Sequence, residues 1–420
     1  MEYKSLRFRG GKCGKCFECS HSSRIASQKI REVKVLIGER MLQIRLITYR
    51  IIFALLALLV FPLCSNAQSW SWETETVDAG GKFTSLAVDK DGGVHLSYDD
   101  GHGSVKYGFR PPNAQKWFTM PIDGGDGYTA IKVDPQGNPS ICYTGRVLKY
   151  AHWDGLKWQV QTIASDEAPI RFECSLSFAP DGTPHLVWYR DVNADYSPFL
   201  HLKYATLESG VWAVRTVDHD MQTGKWNSIV VDSHAIPHVS YDAFVKGLMK
   251  YASWDGNQWN ISTVDFRGHT DGAYNVGMGS SIALDAQGQA EISYRDGESL
   301  KFARQQGVTW SITTVDSVNN SVSWVGYPTS LALDQQGLPH ITYDVGGTLK
   351  HAFNDGKKWH NEVIAPRSFD PVRYASLAID QNNTIFISYR SPEDGSLKVA
   401  VGHWNQGEPQ TAVTEKKDKE

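Results

Sequence analysis

From about residue 70 onward the chain repeats one unit, and a repeat of this kind limits the fold more than any composition does. The cleanest copy, Thr329 to Trp359, reads TSLALDQQGLPHITYDVGGTLKHAFNDGKKW. Its runs SLAL, PHITY and LKHAF alternate with a period of two, and Asp, Gly and Pro mark the turns between them. Trp359 opens a fourth run, WHNEVI. Runs of this length and period predict an antiparallel meander of four strands, not helices.

Taken in order with Asp334, the same position recurs as Asp89, Asp134, Ala179, Asp232, Asp285 and Asp380, at spacings of 45, 45, 53, 53, 49 and 46 residues. Seven four-stranded units at that period predict an all-β fold, a seven-bladed β-propeller over 68–408. The seventh copy ends at LKVAVGHW with no fourth strand, whereas Trp72 to Asp78, WETETVD, matches WSITTVD at Trp310 to Asp316. The N-terminal strand is therefore expected to complete the last blade, closing the ring and removing its open edges.

Recurrence also separates packing from chemistry. Tyrosines end six second strands (Tyr98, Tyr143, Tyr241, Tyr294, Tyr343, Tyr389), and tryptophans open six fourth strands (Trp117, Trp158, Trp212, Trp259, Trp310, Trp359). A residue repeated in nearly every blade is what inter-blade packing requires, so these are read as core. His95, His185, His238 and His340 are read as structural for the same reason, and the first-turn Asp as an acceptor for backbone amides.

The first fifty residues hold twelve Lys or Arg against four Asp or Glu, while the whole chain is −4. The remainder is acidic, which argues against nucleic acid as a partner. Ile51 to Phe61 is wholly apolar, follows Arg45 and Arg50, and precedes Ser65-Asn66-Ala67. This is the layout of a signal peptide at 41–67 cleaved before Gln68, leaving no stable membrane span. Residues 1–40 are a leader extension or lie before the true start at Met41, and 409–420 form a charged disordered tail. Cys13, Cys16 and Cys19 have metal-ligand spacing but lack a fourth cysteine, so neither a metal nor a cofactor is expected. Cys142 and Cys174 stand where other copies carry small residues, and either fill core space or pair in an exported protein.

The segments Ala151 to Trp158 (AHWDGLKW) and Ala252 to Trp259 (ASWDGNQW) resemble the repeats of secreted bacterial propellers with sialidase-type (BNR, Asp-box) motifs. Gly155-x-x-Trp158 and Gly256-x-x-Trp259 match the end of that box, with the Asp one place late. The resemblance covers about Trp72 to His403 and implies architecture; the Arg-Ile-Pro motif of sialidases is missing. Seven-bladed polysaccharide lyases are a closer architectural analogue, an analogy of fold alone.

Chemistry is expected where the copies disagree, in the uneven loops that link blades or join second to third strands. Ligand-binding candidates are Arg190, Asp191, Tyr196, His219, Lys225, Trp226, Trp324, Tyr327, Arg373 and Tyr374. For a lyase, His269, Tyr274 and Arg267 or Arg295 supply base, acid and cation. For a hydrolase, Asp271, Asp220 and Glu173 are the candidate carboxylates. The leading expectation is a secreted, periplasmic or cell-surface monomer that binds one extracellular ligand, a carbohydrate or a surface protein, at one asymmetric site on the channel-mouth face. The alternative is a carbohydrate-active enzyme at the same face.

Overall fold

A computed structural model describes residues 69–405, apart from 126, 146, 165–172, 190–200, 221–222, 267–275, 318–327 and 367–373. The leader, the signal-peptide segment and the tail lie outside the described residues. Seven antiparallel sheets of four strands follow one another: blade 1 from Lys82 to Gly124, blade 2 from Thr129 to Ala164, blade 3 from Cys174 to Thr216 and blade 4 from Thr223 to Phe266. Blade 5 runs from Val276 to Ser317, blade 6 from Ser330 to Ala365 and blade 7 from Ser376 to Asn405. One 3-10 turn, Phe244–Lys246, is the sole helical element among the described residues, and no helix there is long and apolar enough to cross a membrane.

Blade 7 takes its fourth strand from Ser69–Asp78, paired antiparallel with Leu397–Asn405 in the register Trp72↔Gly402 to Thr76↔Lys398. The Trp72 indole lies so close over Gly402 that an added Cβ would meet it at 2.7 Å. Trp72 is thus the seventh member of the tryptophan series. Its ring meets His351 of blade 6 edge-on at 5.4 Å, as Trp158, Trp212, Trp259 and Trp310 meet Tyr107, Tyr150, Tyr204 and Tyr251 of the preceding blade at 5.1 to 5.3 Å.

First strands of successive blades touch all the way round, blade 7 to blade 1 included. At the centre a serine in each of six first strands accepts the backbone N–H of the next blade: Ser85 from Ile131, Ser175 from Ile229, Ser228 from Ile282, Ser281 from Leu331, Ser330 from Leu377 and Ser376 from Leu86. These bonds satisfy edge amides that would otherwise stay unpaired inside the ring. Blade 2 has Ala130 at that position.

One layer outward, hydroxyl pairs join second strands to the following blade: Ser97 to Thr129, Ser240 to Ser280, Ser293 to Thr329, and Ser388 to Thr84. Cys142 and Cys174 occupy the equivalent positions between blades 2 and 3, where they form a disulfide. Further out, each fourth-strand aspartate accepts the phenol of the next blade's tyrosine. The pairs are Tyr98 to Asp78 at 2.5 Å, Tyr143 to Asp123 at 2.6 Å, Tyr241 to Asp218 at 2.9 Å, Tyr294 to Asp265 at 2.8 Å and Tyr343 to Asp316 at 2.7 Å. Blades 2 and 6 end instead in Ala164 and Ala365. The disulfide therefore joins one of the two junctions that lack this carboxylate.

The first-turn aspartates accept the amides two and four residues on, as Asp89 does from Asp91 and Gly93. His95 bridges that carboxylate and the Tyr107 hydroxyl. Blade 3 has Ala179 instead, and burial pushes the His185 imidazole down to about 4. The unfolded chain takes up that proton near pH 6.5 and the fold does not, so His185 removes stability as pH falls from about 6.5 to about 4. Ala179→Asp is expected to raise the unfolding free energy by about 1 kcal/mol and to flatten that acid loss. Urea melts at pH 7 and pH 5 check it; an equal loss in both chains would refute the assignment.

Candidate functional site at the channel mouth

Connectors between blades enter the first strands on one face, at the level of the residue two before the serine position in each. In blade order these are Phe83, Tyr128, Glu173, Trp226, Gly279, Pro328 and Tyr374. Phe83, Trp226 and Tyr374 hold φ of 51°, 53° and 64°, a left-handed backbone that bulky residues rarely adopt.

The rim is lopsided. On the side of blades 7, 1 and 2, the Phe83 ring packs at 4.4 Å on Tyr128 and at 4.6 Å on Tyr374. The two phenols, from blades 2 and 7, bond to one another across blade 1 at 2.8 Å. All three rings are half-buried and line a cavity of about 150 Å³.

Blades 3 and 4 face this wall with acceptors. Glu173 and Asn227 line the same cavity. Glu173 Oε1, Asn227 Oδ1 and both Asp242 carboxyl oxygens are buried without a hydrogen-bond partner. Asp242 is fully buried, follows Tyr241 near the end of the second strand of blade 4, and lies opposite Lys225 across the strand pair. Burial, only partly countered by Lys225, pushes its carboxyl up to about 8. Burial, and secondarily the charge of Asp242, holds Glu173 well above the usual carboxylate range. Near neutrality the Asp242 carboxyl is therefore largely protonated, and Glu173 is shifted in the same direction. Left dry and unmatched, such groups cost about 1–3 kcal/mol each.

Of the residues expected at the rim, Tyr374 is there. Lys225 covers the Phe244 ring at 4.7 Å, and Trp226, only 8% exposed, presents its carbonyl to Ser280 instead of its ring to a ligand. His219 and Asp220 lie apart, in a groove between blades 3 and 4 with Lys250 and Trp254. Asp220 takes ion pairs from Lys246 at 2.8 Å and Lys250 at 2.7 Å, which hold it down to about 2. A carboxylate so engaged stays ionised, and Asp220 is placed apart from Glu173, the other described carboxylate expected for a hydrolase. Arg295 is 2% exposed and its Nε donates to Gly297 O inside its own hairpin. Arg190, Asp191, Tyr196, Arg267, His269, Asp271, Tyr274, Trp324, Tyr327 and Arg373 lie outside the described residues. Among the described residues no group of three or more His, Cys, Asp or Glu converges as a metal site would.

The sequence reading passed over Phe83, Tyr128, Asn227 and Asp242. A signal was present: the residue after the repeated tyrosine is Asp99, Thr144, Asp242, Arg295, Asp344 or Arg390, as variable as any loop.

No family model matches the chain, and no curated relative does. Among solved structures it is similar to the BP39L lectin from Burkholderia pseudomallei, at 14% identity and a TM-score of 0.57 over 78% of this chain and 98% of that one. It is also similar to an ulvan lyase of a polysaccharide lyase family, solved with bound -[GlcA(1-4)Rha3S]-, at 14% identity and a TM-score of 0.51 over 78% and 95%. At these identities the likeness shows the fold.

Proposed function

We propose that this is an exported propeller that binds an extracellular carbohydrate in the lopsided mouth of its channel. One observation carries the reading: Glu173 and Asn227, each with a buried acceptor atom unmatched by any donor of the described residues, line one cavity with three aromatic rings, and the buried Asp242 lies close enough to Glu173 to act on its charge. A sugar presents hydroxyl donors on its edge and C–H groups on its face, and so complements both walls at once. The lectin and the lyase among the structural neighbours are in keeping with this, as is the sialidase-type look of the repeat. The signal-peptide layout and the Cys142–Cys174 bridge support an oxidising compartment outside the cytoplasm.

The test is a glycan array probed with the chain lacking residues 1–67, followed by titration of the best ligand. Tyr128→Ala and Glu173→Gln are each expected to weaken that titration tenfold or more with the fold intact. Array binding that both variants retain would move the site elsewhere.

The raised carboxyls favour a second reading, in which Glu173 acts as general acid on a glycosidic oxygen. New reducing ends or unsaturated uronate absorbance from a polysaccharide panel would support it, and binding without either would dismiss it for those substrates.

A further inference from the structure

The far end of the channel carries a different chemistry. Two residues beyond the serine ring, about 7 Å along each strand, the first strands present Ala87, Lys132, Ser177, Val230, Ala283, Ala332 and Ala378. Lys132 is the one charge in this layer. Its side chain is open to solvent, but protein encloses the space it occupies, a cavity of about 420 Å³ on the side of the first turns. No carboxylate, carbonyl or aromatic ring of the described residues engages its ammonium. Enclosure lowers the affinity of that amine for its proton. Asp134 and Asp232 border the cavity, but both are turned into their own loops, where they accept the amides of Gln136 and Asn138 and of His234 and Ile236.

The Ser177 hydroxyl borders the same cavity as Lys132 with its oxygen already in use as an acceptor. Ser177 accepts the Val231 amide, as Ser175 accepts that of Ile229 one layer above. With the oxygen used as acceptor, each hydroxyl proton is left for the channel. An ammonium and a hydroxyl donor lining one cavity are complementary to an anion with several acceptor oxygens.

We propose that the channel binds a tetrahedral oxyanion between the Lys132 ammonium and the Ser177 hydroxyl. Chloride matches the charge of this site but offers no set of oxygens to its donors. The shared chemistry is that of sulfate or phosphate, whether free or carried as an ester on a sugar. The site lies at the opposite end of the channel from the mouth and stands or falls separately from the carbohydrate reading.

Calorimetric titration decides the matter, with inorganic sulfate, inorganic phosphate, chloride at matched ionic strength and a sulfated monosaccharide as probes. Saturable one-to-one binding of sulfate or phosphate is expected, with none for chloride. Lys132→Ala is expected to weaken it at least tenfold and Ser177→Ala severalfold, while Glu173→Gln leaves it unchanged. Four other blades have alanine at this position, so Lys132→Ala should fold, and circular dichroism checks that it does. A tighter response to the sulfated sugar than to sulfate would identify the carried ester as the ligand; the reverse would identify the free ion. As a readout on the unaltered chain, reductive methylation of Lys132, followed by mass spectrometry, should slow in sulfate and not in chloride. Equal sulfate binding by the wild type and Lys132→Ala, absence of saturable binding, or equal methylation in both salts would each overturn the proposal.

Discussion

A chain that starts at Ala79, without the strand Ser69–Asp78, is expected to lose its cooperative unfolding transition and to aggregate. That strand serves two blades. Toward blade 7 it covers the edge of Leu397–Asn405 and lays Trp72 on Gly402. Toward blade 1, Asp78 receives the Tyr98 phenol and the Lys106 ammonium, and Glu75 receives the Arg110 guanidinium and the Trp117 indole N–H. Without it, Val399 and Val401 lose cover and a full strand edge opens. Gly402→Val is a milder version of the same lesion, because its branched side chain must displace the indole; about 2–3 kcal/mol of destabilisation is expected. Urea titration of both variants beside the wild type is the measurement. A truncated chain with an unchanged midpoint would mean that the ring does not rely on this strand.

The second large effect concerns Asp242. Its carboxyl is held up to about 8, against 3.8 in an open chain, because burial disfavours the charge. As pH rises above about 4 the unfolded chain releases this proton and the fold retains it, so stability is lost progressively until about pH 8. Asp242→Asn removes the proton and the penalty with little change of shape. The variant is expected to match the wild type near pH 4 and to exceed it by about 3–5 kcal/mol at pH 9. It should also bind the mouth ligand more weakly, since an acid that can donate or accept has become a fixed amide. Stabilisation gained at the expense of binding is the mark of a site kept for use. A difference between the two chains that stays constant from pH 4 to pH 9 would show that Asp242 is not a buried acid.

The ring itself was legible in the residues because packing repeats. Tyr98, Trp158 and their counterparts recur since each blade solves the same joint, and WETETVD could be matched to WSITTVD before any coordinates. Site residues do not recur, and Phe83 and Tyr374 become neighbours only when the ring closes over nearly 300 positions of chain. Local proximity misled as well. His219 and Asp220 sit a few residues from Lys225 and Trp226, yet the strand shifts register between Thr223 and Lys225, and again from Lys225 to Ser228 around Trp226. Those bulges turn the two pairs into different spaces. Lys132 escaped notice for the opposite reason, as a lone charge inside a strand that otherwise reads as core.

One pairing bears on how such a molecule would be presented. Ser69 lies directly opposite Asn405, so the described ring starts and stops side by side, at the outer edge of the face remote from Phe83, Tyr128 and Tyr374. Anything spliced to either end, whether a tether, a reporter or a second module, would leave from behind. The channel mouth would then look away from its support, open to whatever arrives from solution.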